Sequence, residues 1–461
     1  MRAHTMIIVA LVAACQSRPK PSFDQCAAIT NEISAPTPAP LHADGPYFKD
    51  ELGRVVLLRG VNVAGDSKVP PFMTITDASQ LDPLPGFGLN VVRLLFTWEA
   101  FEPSPCTYDE AYLAYFERVT SWAGARGLYV IVDFHQDAFS RFSIDGCGEG
   151  FPEWAVLSSL PTHAPDNGRA CEAWGIKMVF DSTHLDTWTA FHRDLEGART
   201  RFLAMVSRVA ARMSSHPNVI GYDVLNEPWG QSYELHALFE DIGTAIRAQD
   251  PERILFIPPQ ALGSSGAANI VPRVSHTNIA HSPHYYDAAI VVFKAWHGAG
   301  VGPPLDGMLQ TATEWNAPML LAEFGAGVSI GSAAAYIEAF YAWLDERFVS
   351  GTQWNYTPGW TADRKDGWNT EDFSITGAGL ALRKELFTPR PYPQKTAGVP
   401  IAFRRHGRGF TYRWTHDPSL GATEIFAPDG NIQSEGVRCV RVESLLSCTG
   451  EAGEAVVTVS E

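Results

Sequence analysis

The stretch Val219-Ile220-Gly221-Tyr222-Asp223-Val224-Leu225-Asn226-Glu227-Pro228 is apolar for most of its length and stops at Asn-Glu-Pro. A short apolar run bounded by a turn signal predicts a buried strand with its polar end projecting beyond the sheet. Before it lies ARTRFLAMVSRVAARMSSH and after it YELHALFEDIGTAIRAQD, both with apolar residues every three or four positions. A strand set between two helices is the repeating unit of an α/β fold. Further out the alternation recurs. VVLLRGVNVAG, NVVRLLFTW and LYVIVDFHQD precede the stretch, and RILFIPPQ, NIAHSPHYYD, PMLLAEFGAG and GTQWNYTPG follow it. Helical patterns such as YDEAYLAYFERVTSWAGARG and AAAYIEAFYAWLDERF lie between these runs. Eight strands with intervening helices predict an eightfold β/α (TIM) barrel over roughly residues 45–390.

In such a barrel the functional groups project from the carboxyl ends of the strands. Polar residues gather where the runs stop. Arg93 ends the second, His135 with Asp137 the third, Asn226 with Glu227 the fourth, His284 with Tyr286 the sixth, Glu323 the seventh and Trp354 the eighth. A doubly wound open sheet would concentrate its chemistry at one switch point. Glu227 and Glu323 therefore face each other across one cleft. Two carboxyls so placed are the minimum equipment for cleaving a glycosidic bond: one protonates the leaving oxygen while the other attacks the anomeric carbon. A separation of about 5 Å would fit retention of stereochemistry.

After residue 390 the texture changes to short alternating stretches, FTYRW, ATEIFAP, VRCVRVE and AVVTVS, separated by turns such as Asp429-Gly430. They predict a small C-terminal antiparallel β-sandwich domain over residues 396–461 that caps the barrel.

The chain has 461 residues and a formal charge of −16, with 45% hydrophobic and 11% aromatic residues. That suits one large domain with an accessory module. The negative charge excludes nucleic acid as a partner and makes an anionic membrane a poor electrostatic target. Any lipid contact must then be apolar or covalent. Arg2 precedes the apolar stretch Met6 to Ala14, and Val12-Ala13-Ala14-Cys15 resembles a bacterial lipobox. Residues 1–15 are thus expected to be a lipoprotein-type signal peptide with Cys15 as the acylated residue, and residues 16–44, with SAPTPAP, a tether. The expected product is an exported, membrane-anchored bacterial lipoprotein, periplasmic or at the cell surface, or a secreted protein if it is not acylated. No later segment offers ~20 consecutive apolar residues.

Seven cysteines less Cys15 leave an even number, which in an oxidising compartment implies disulfides. Cys147 with Cys171 would staple the long loop after the third strand and Cys439 with Cys448 would close a hairpin, leaving Cys26 for Cys106. Other pairings stay open. No Cys-x-x-Cys or His-rich spacing appears, so no metal is expected.

Arg93 in VVRLLFTWE, His135 in DFHQD, Asn226-Glu227-Pro228, His284 and Tyr286 in HYYD, Glu323 in AEFG, and Trp354 together resemble glycoside hydrolase family 5. Lys68 after the first strand, DFHQDAFS followed by GFPEWAV, DVLNEPWG and DGWNTEDFSI resemble its endoglycoceramidase group. The resemblance implies Glu323 as nucleophile, held by Arg93 and Tyr286, and Glu227 as acid/base. It implies that Asn226 bonds the sugar 2-hydroxyl, that His135 and His284 orient the carboxylates and the sugar, and that Trp354 forms an apolar floor. Asp137 and Lys68 would read sugar hydroxyls. The substrate implied is a glycosphingolipid, cleaved between glycan and ceramide without metal or organic cofactor. A monomer is expected, though the resemblance does not set the oligomeric state. A lipid aglycone needs apolar surface at the catalytic rim, and Val69-Pro70-Pro71-Phe72-Met73 and Ala289-Ile290-Val291-Val292-Phe293 are the candidate loops. Three alternatives stay open: a β-glucosidase on steryl glucoside or glucosylceramide, an endo-glucanase or mannanase, and a non-catalytic sugar-binding lipoprotein.

Overall fold

The computed structural model describes residues 37–165, 171, 174–298 and 300–460. Cys15, Cys26, the signal peptide and most of the tether lie outside the described residues.

Eight parallel strands form the barrel: β1 (Arg59–Val63), β2 (Val91–Thr97), β3 (Tyr129–His135), β4 (Val219–Asp223), β5 (Ile254–Ile257), β6 (Ile279–His281), β7 (Leu320–Leu321) and β8 (Ser350–Tyr356). Their order in the sheet is β7-β8-β1-β2-β3-β4-β5-β6. Isolated parallel bridges, His281 to Met319 and His284 to Glu323, join β6 to β7 and complete the circuit. Five long helices pack outside: α1 (Glu110–Gly124), α2 (Ala198–Met213), α3 (Ser232–Arg247), α4 (Gly302–Trp315) and α5 (Ala333–Glu346). Helix α4 carries Pro at its first turn, where the missing N–H is tolerated.

Strand alternation sorts the side chains. In β2, Val92, Leu94 and Phe96 face outward into the core shared with the helices, while Val91 joins an inner cluster with Ile131, Ile254, Phe256 and Leu320. Leu41 and Phe48 complete that inner layer, with the Phe48 and Phe256 rings 5.9 Å apart. The hairpin His42–Asp44 with Tyr47–Lys49 thus plugs the amino-terminal mouth. The tether expected to reach residue 44 stops earlier, because burying Leu41 and Phe48 draws the chain into the fold.

The first apolar run also divides. Val55–Val56 leaves the barrel to pair antiparallel with Lys395 and Thr396, and only Arg59–Val63 enters it. Consequently the C-terminal sandwich contains N-terminal strands. Its one sheet is seven-stranded, joining the three N-terminal strands to Tyr392–Thr396, Thr423–Phe426, Leu445–Gly450 and Val437–Val442. The other is four-stranded, Gly398–His406, Gly409–His416, Gly453–Ser460 and Asn431–Glu435. Tyr412, Trp414 and Ile425 are fully buried in the core between them. Arg59 and Arg405 both hold Asp345 of α5, at 2.9 and 2.6 Å, and so tie barrel to sandwich.

The structure contains the Cys147–Cys171 and Cys439–Cys448 disulfides. Cys106 is disulfide-bonded as well, and its expected partner Cys26 lies outside the described residues. The first candidate lipid loop is divided: Val69 and Phe72 are buried against the barrel, while Pro70 and Pro71 are exposed. In the second, Ile290 is buried and Phe293 is exposed. Among the described residues no helix is long and apolar enough to cross a membrane.

Candidate active site

Arg93 organises the barrel interior. It lies within β2 rather than at its end, one layer below the cleft, and is fully buried. That corrects its expected place at a strand end: the guanidinium's length carries it upward from mid-strand. Its Nη1 donates to Glu323 Oε1 at 2.7 Å and to Asn62 Oδ1 at 2.9 Å, and its Nη2 donates to Asn226 Oδ1 at 2.8 Å. Asp133 Oδ1 and Asp223 Oδ2 lie 2.8 and 3.1 Å from it. Surrounding carboxyls compensate for burying the charge, since an unpaired guanidinium there would be prohibitively destabilising. One cation nevertheless faces three carboxyls. Burial therefore pushes Asp223 up to about 7, in opposition to Arg93.

Glu323 sits just beyond β7, where its backbone bridges His284. Its second oxygen accepts from the Tyr286 hydroxyl at 2.9 Å. Burial, reinforced by Glu323 and Glu227, raises the Tyr286 pKa far above its ordinary value, so the hydroxyl stays a donor. Glu227 projects after β4 from a residue with φ +38°, a backbone region that costs a non-glycine residue free energy. Its Oε1 receives Ser264 Oγ at 2.5 Å and lies 2.9 Å from His284 Nδ1. The same His284 nitrogen lies 3.5 Å from Glu323 Oε2. Burial opposes charge on His284, yet Glu323 and Glu227 raise its pKa overall. One oxygen of each glutamate and a nitrogen of His284 lie within 4.8 Å of one another.

Beside this pair is a second polar group. The Lys68 ammonium donates to Asp137 and lies 4.3 Å from the Trp354 ring centre and 4.0 Å from that of Trp368. Burial works against the Lys68 charge, but Asp137, Glu371 and Glu149 together raise its pKa. Trp354 Nε1 donates to Glu371 at 3.2 Å, and burial pushes that carboxyl up to about 7. His135 stacks on Trp354 with ring centres 5.8 Å apart, and its Nδ1 lies 2.6 Å from Asp133 Oδ2. Asn226 Nδ2 donates to the Gln136 carbonyl at 3.0 Å. His135, Asp137 and Glu149 converge in the manner of a metal cage, but the Lys68 ammonium already supplies the positive charge at Asp137.

All ten residues singled out in the sequence, namely Lys68, Arg93, His135, Asp137, Asn226, Glu227, His284, Tyr286, Glu323 and Trp354, are linked through these contacts. Asn62, Asp133, Asp223, Ser264, Trp368 and Glu371 belong to the same network and were missed. The alternation Asp133, His135, Asp137 in LYVIVDFHQD was a usable signal for the first aspartate, because period-two spacing puts all three on one face. Ser264 arrives on a short 3-10 helix after β5, Ala261–Ser265, which no local pattern marks as functional.

Residues 50–359 match the family described as cellulase (glycosyl hydrolase family 5), and residues 390–461 match its C-terminal domain. The chain is 28% identical over 424 residues, 84% of its length and 80% of the relative's, to endoglycoceramidase I of Rhodococcus hoagii. It is 34% identical over 245 residues, 41% of this chain and 35% of the relative, to a glucosylceramidase of Rhizopus delemar. In fold it resembles endo-glycoceramidase II from Rhodococcus sp. in a complex with ganglioside GM3, with a TM-score of 0.73, 23% identity and coverage of 90% of this chain and 99% of that one. With a barrel match spanning well over half of its length and a match to the accompanying C-terminal domain, this chain belongs to glycoside hydrolase family 5.

Proposed function

We propose that this glycoside hydrolase is a retaining endo-β-glycosidase that cleaves between glycan and ceramide in glycosphingolipids. The approach of Glu227 and Glu323 within 4.8 Å, with His284 between them, carries the reading. Carboxyls this close leave no room for a water in the inverting position, so the second must attack directly. In the first step Glu323 attacks the anomeric carbon while Glu227 protonates the glycosidic oxygen, releasing ceramide as the alcohol. In the second, Glu227 takes a proton from water, whose oxygen displaces Glu323 and frees the glycan. Arg93 and Tyr286 fix both oxygens of Glu323 for that attack. Lys68, Asp137, His135, Asn226 and Trp354 hold the sugar.

Ceramide as the leaving group is supported by the similarity to endoglycoceramidase I over 84% of this chain. A second reading, β-glucosidase action on glucosylceramide or a steryl glucoside, is favoured by the higher identity, 34%, to the Rhizopus delemar glucosylceramidase over a shorter span. Incubation with GM3, glucosylceramide, steryl glucoside and cellulose or mannan oligosaccharides, followed by product analysis, separates them. Ceramide released with an intact glycan from GM3 is the expected result. Brisk cleavage of polysaccharide fragments with no ceramide from any glycolipid would sink the proposal.

The proposal includes export and acylation at Cys15, supported by the lipobox-like Val12-Ala13-Ala14-Cys15. Labelled palmitate should enter the wild-type protein in a bacterial host and not the Cys15→Ala variant, which should leave the membrane fraction.

A further inference from the structure

The loop after β3 returns to the site through Gly148-Glu149-Gly150. Glu149 is clamped there by two backbone hydrogen bonds with Asp137, 2.8 and 3.1 Å long. A Cβ on Gly148 would lie 2.3 Å from the Ser140 carbonyl oxygen, and one on Gly150, at φ +112°, would lie 2.5 Å from Gln136 Cα. Glycines on both sides therefore let the loop lie directly on the end of β3. The Glu149 side chain is almost wholly buried, and neither oxygen has a hydrogen-bond partner among the described residues.

What the carboxyl faces is His135. Its Oε1 is 3.4 Å from His135 Nε2, which is also 3.6 Å from Asp137 Oδ2 and makes no hydrogen bond of its own. The other ring nitrogen is bonded to Asp133, which is paired with Arg93, which holds Glu323. Glu149 thus ends a continuous chain of contacts running to the proposed nucleophile. We infer that Glu149 is a positioning residue: while uncharged, its carboxyl leaves His135 bonded through Nδ1 to Asp133 and stacked on Trp354, and its ionisation draws the buried ring off that pose.

The charged and titratable surroundings agree. His135 and Asp133 face Glu149 from β3, Asp137 from the same loop, Lys68 from the loop after β1 and Tyr112 from α1. Burial pushes Glu149 up to about 8, assisted by Asp137 and Asp133 and opposed by His135 and Lys68. Burial also disfavours charge on His135, but Asp133 and Glu149 raise it to about 10. When Glu149 is protonated its own pull on His135 is lost, and Asp133 at Nδ1 is the charge that favours the imidazolium. Above about 8 the carboxylate pulls the imidazolium toward itself, away from Asp133 and from the face of Trp354 on which the sugar rests.

The inference rests on the glycosidase reading. If the wild-type enzyme cleaves no glycoside, that reading fails; if it is active, the following outcomes concern Glu149 alone. Glu149→Gln mimics the protonated acid at every pH. On an aryl β-lactoside its kcat/KM at pH 6 should stay within roughly threefold of the parent's, while the alkaline limb, read mainly in KM, moves up by about one pH unit or more. An alkaline limb coincident with the parent's overturns the inference, whatever the overall loss. Should the variant not fold, the wild-type enzyme decides. Calorimetry of lactose binding near pH 8.5, in buffers of different ionisation enthalpy, should show proton uptake, and its absence overturns the inference.

Discussion

In the proposed mechanism Arg93, His284 and Tyr286 position the glutamate pair without reacting themselves, and that division of labour can be tested one side chain at a time. Glu323→Gln removes the attacking charge while nearly conserving volume; its amide oxygen still accepts from Arg93, but its NH2 cannot accept from Tyr286 and donates to that hydroxyl oxygen instead. Its kcat should fall by about 10³-fold or more with an unchanged melting temperature; activity within tenfold of the parent would reject the nucleophile assignment. Glu227→Ala should lose far more activity on ceramide glycosides than on activated aryl glycosides, whose leaving groups need little protonation. Equal losses on both would count against an acid role. Glu149 adds a stability test. Its folded pKa is raised from 4.5 to about 8, so folding takes up a proton between those values. Its contribution to stability falls as pH rises through that window and is least above it. Glu149→Gln should therefore melt a few degrees higher than the parent at pH 9 and show little difference at pH 4.

The Glu pair was legible because each glutamate ends an apolar run in a distinctive tripeptide. Glu149, Ser264 and Glu371 were not, since their proximity to the site depends on how long loops fold back over the barrel. Asp133 and Asp223 lay inside strands that read as apolar, where alternation alone separates a barrel-facing carboxyl from an outward one.

Among the elements, the excursion between β3 and α2 is the most consequential. The Cys147–Cys171 disulfide anchors it next to Trp174, whose ring lies 5.0 Å from that of Trp368. Trp368 in turn covers Lys68, and Asn369 Nδ2 donates to the Cys147 carbonyl at 3.1 Å. The disulfide thus braces one wall of the proposed sugar site against the loop after β8. Replacing both cysteines by serine should raise KM for oligosaccharide glycosides roughly three- to tenfold with a smaller change in kcat, because ordering that wall then falls to substrate binding. Steady-state kinetics on a lactoside checks this, and unchanged KM would show that the wall stands without the bridge. The spacing of the two cysteines suggested the link; its contact with the site is a property of packing.

For the whole molecule, barrel and sandwich are one construction. The N-terminal strands close the barrel mouth with Phe48 and at the same time pair with Tyr392–Thr396. Asp345 is buried between Arg59 of β1 and Arg405 of the sandwich. Asp345→Ala would strand a buried guanidinium, so unfolding free energy should drop by about 3–5 kcal/mol, measurable by urea denaturation. Kinetics of the folded fraction at 25 °C should remain within about threefold, because Asp345 lies at the amino-terminal end of the barrel, far from the strand ends that bear the carboxyls. Deleting residues after 390 would expose the paired edge of Val55–Val56 and uncover Leu57 and Phe348, which pack into the sandwich core, and the truncated chain should aggregate.

The sequence by itself determined the barrel, the antiparallel C-terminal sandwich and the two glutamates, because strand and helix periods and strand-end tripeptides are local properties of a chain. Only the tertiary structure decided that the N-terminal hairpin plugs the barrel, that Arg93 serves three carboxyls from mid-strand, and that Glu149 stands behind His135. Those arrangements follow from burying charge at low dielectric, where each group must find a partner or hold a proton, and the partners come from segments far apart along the chain.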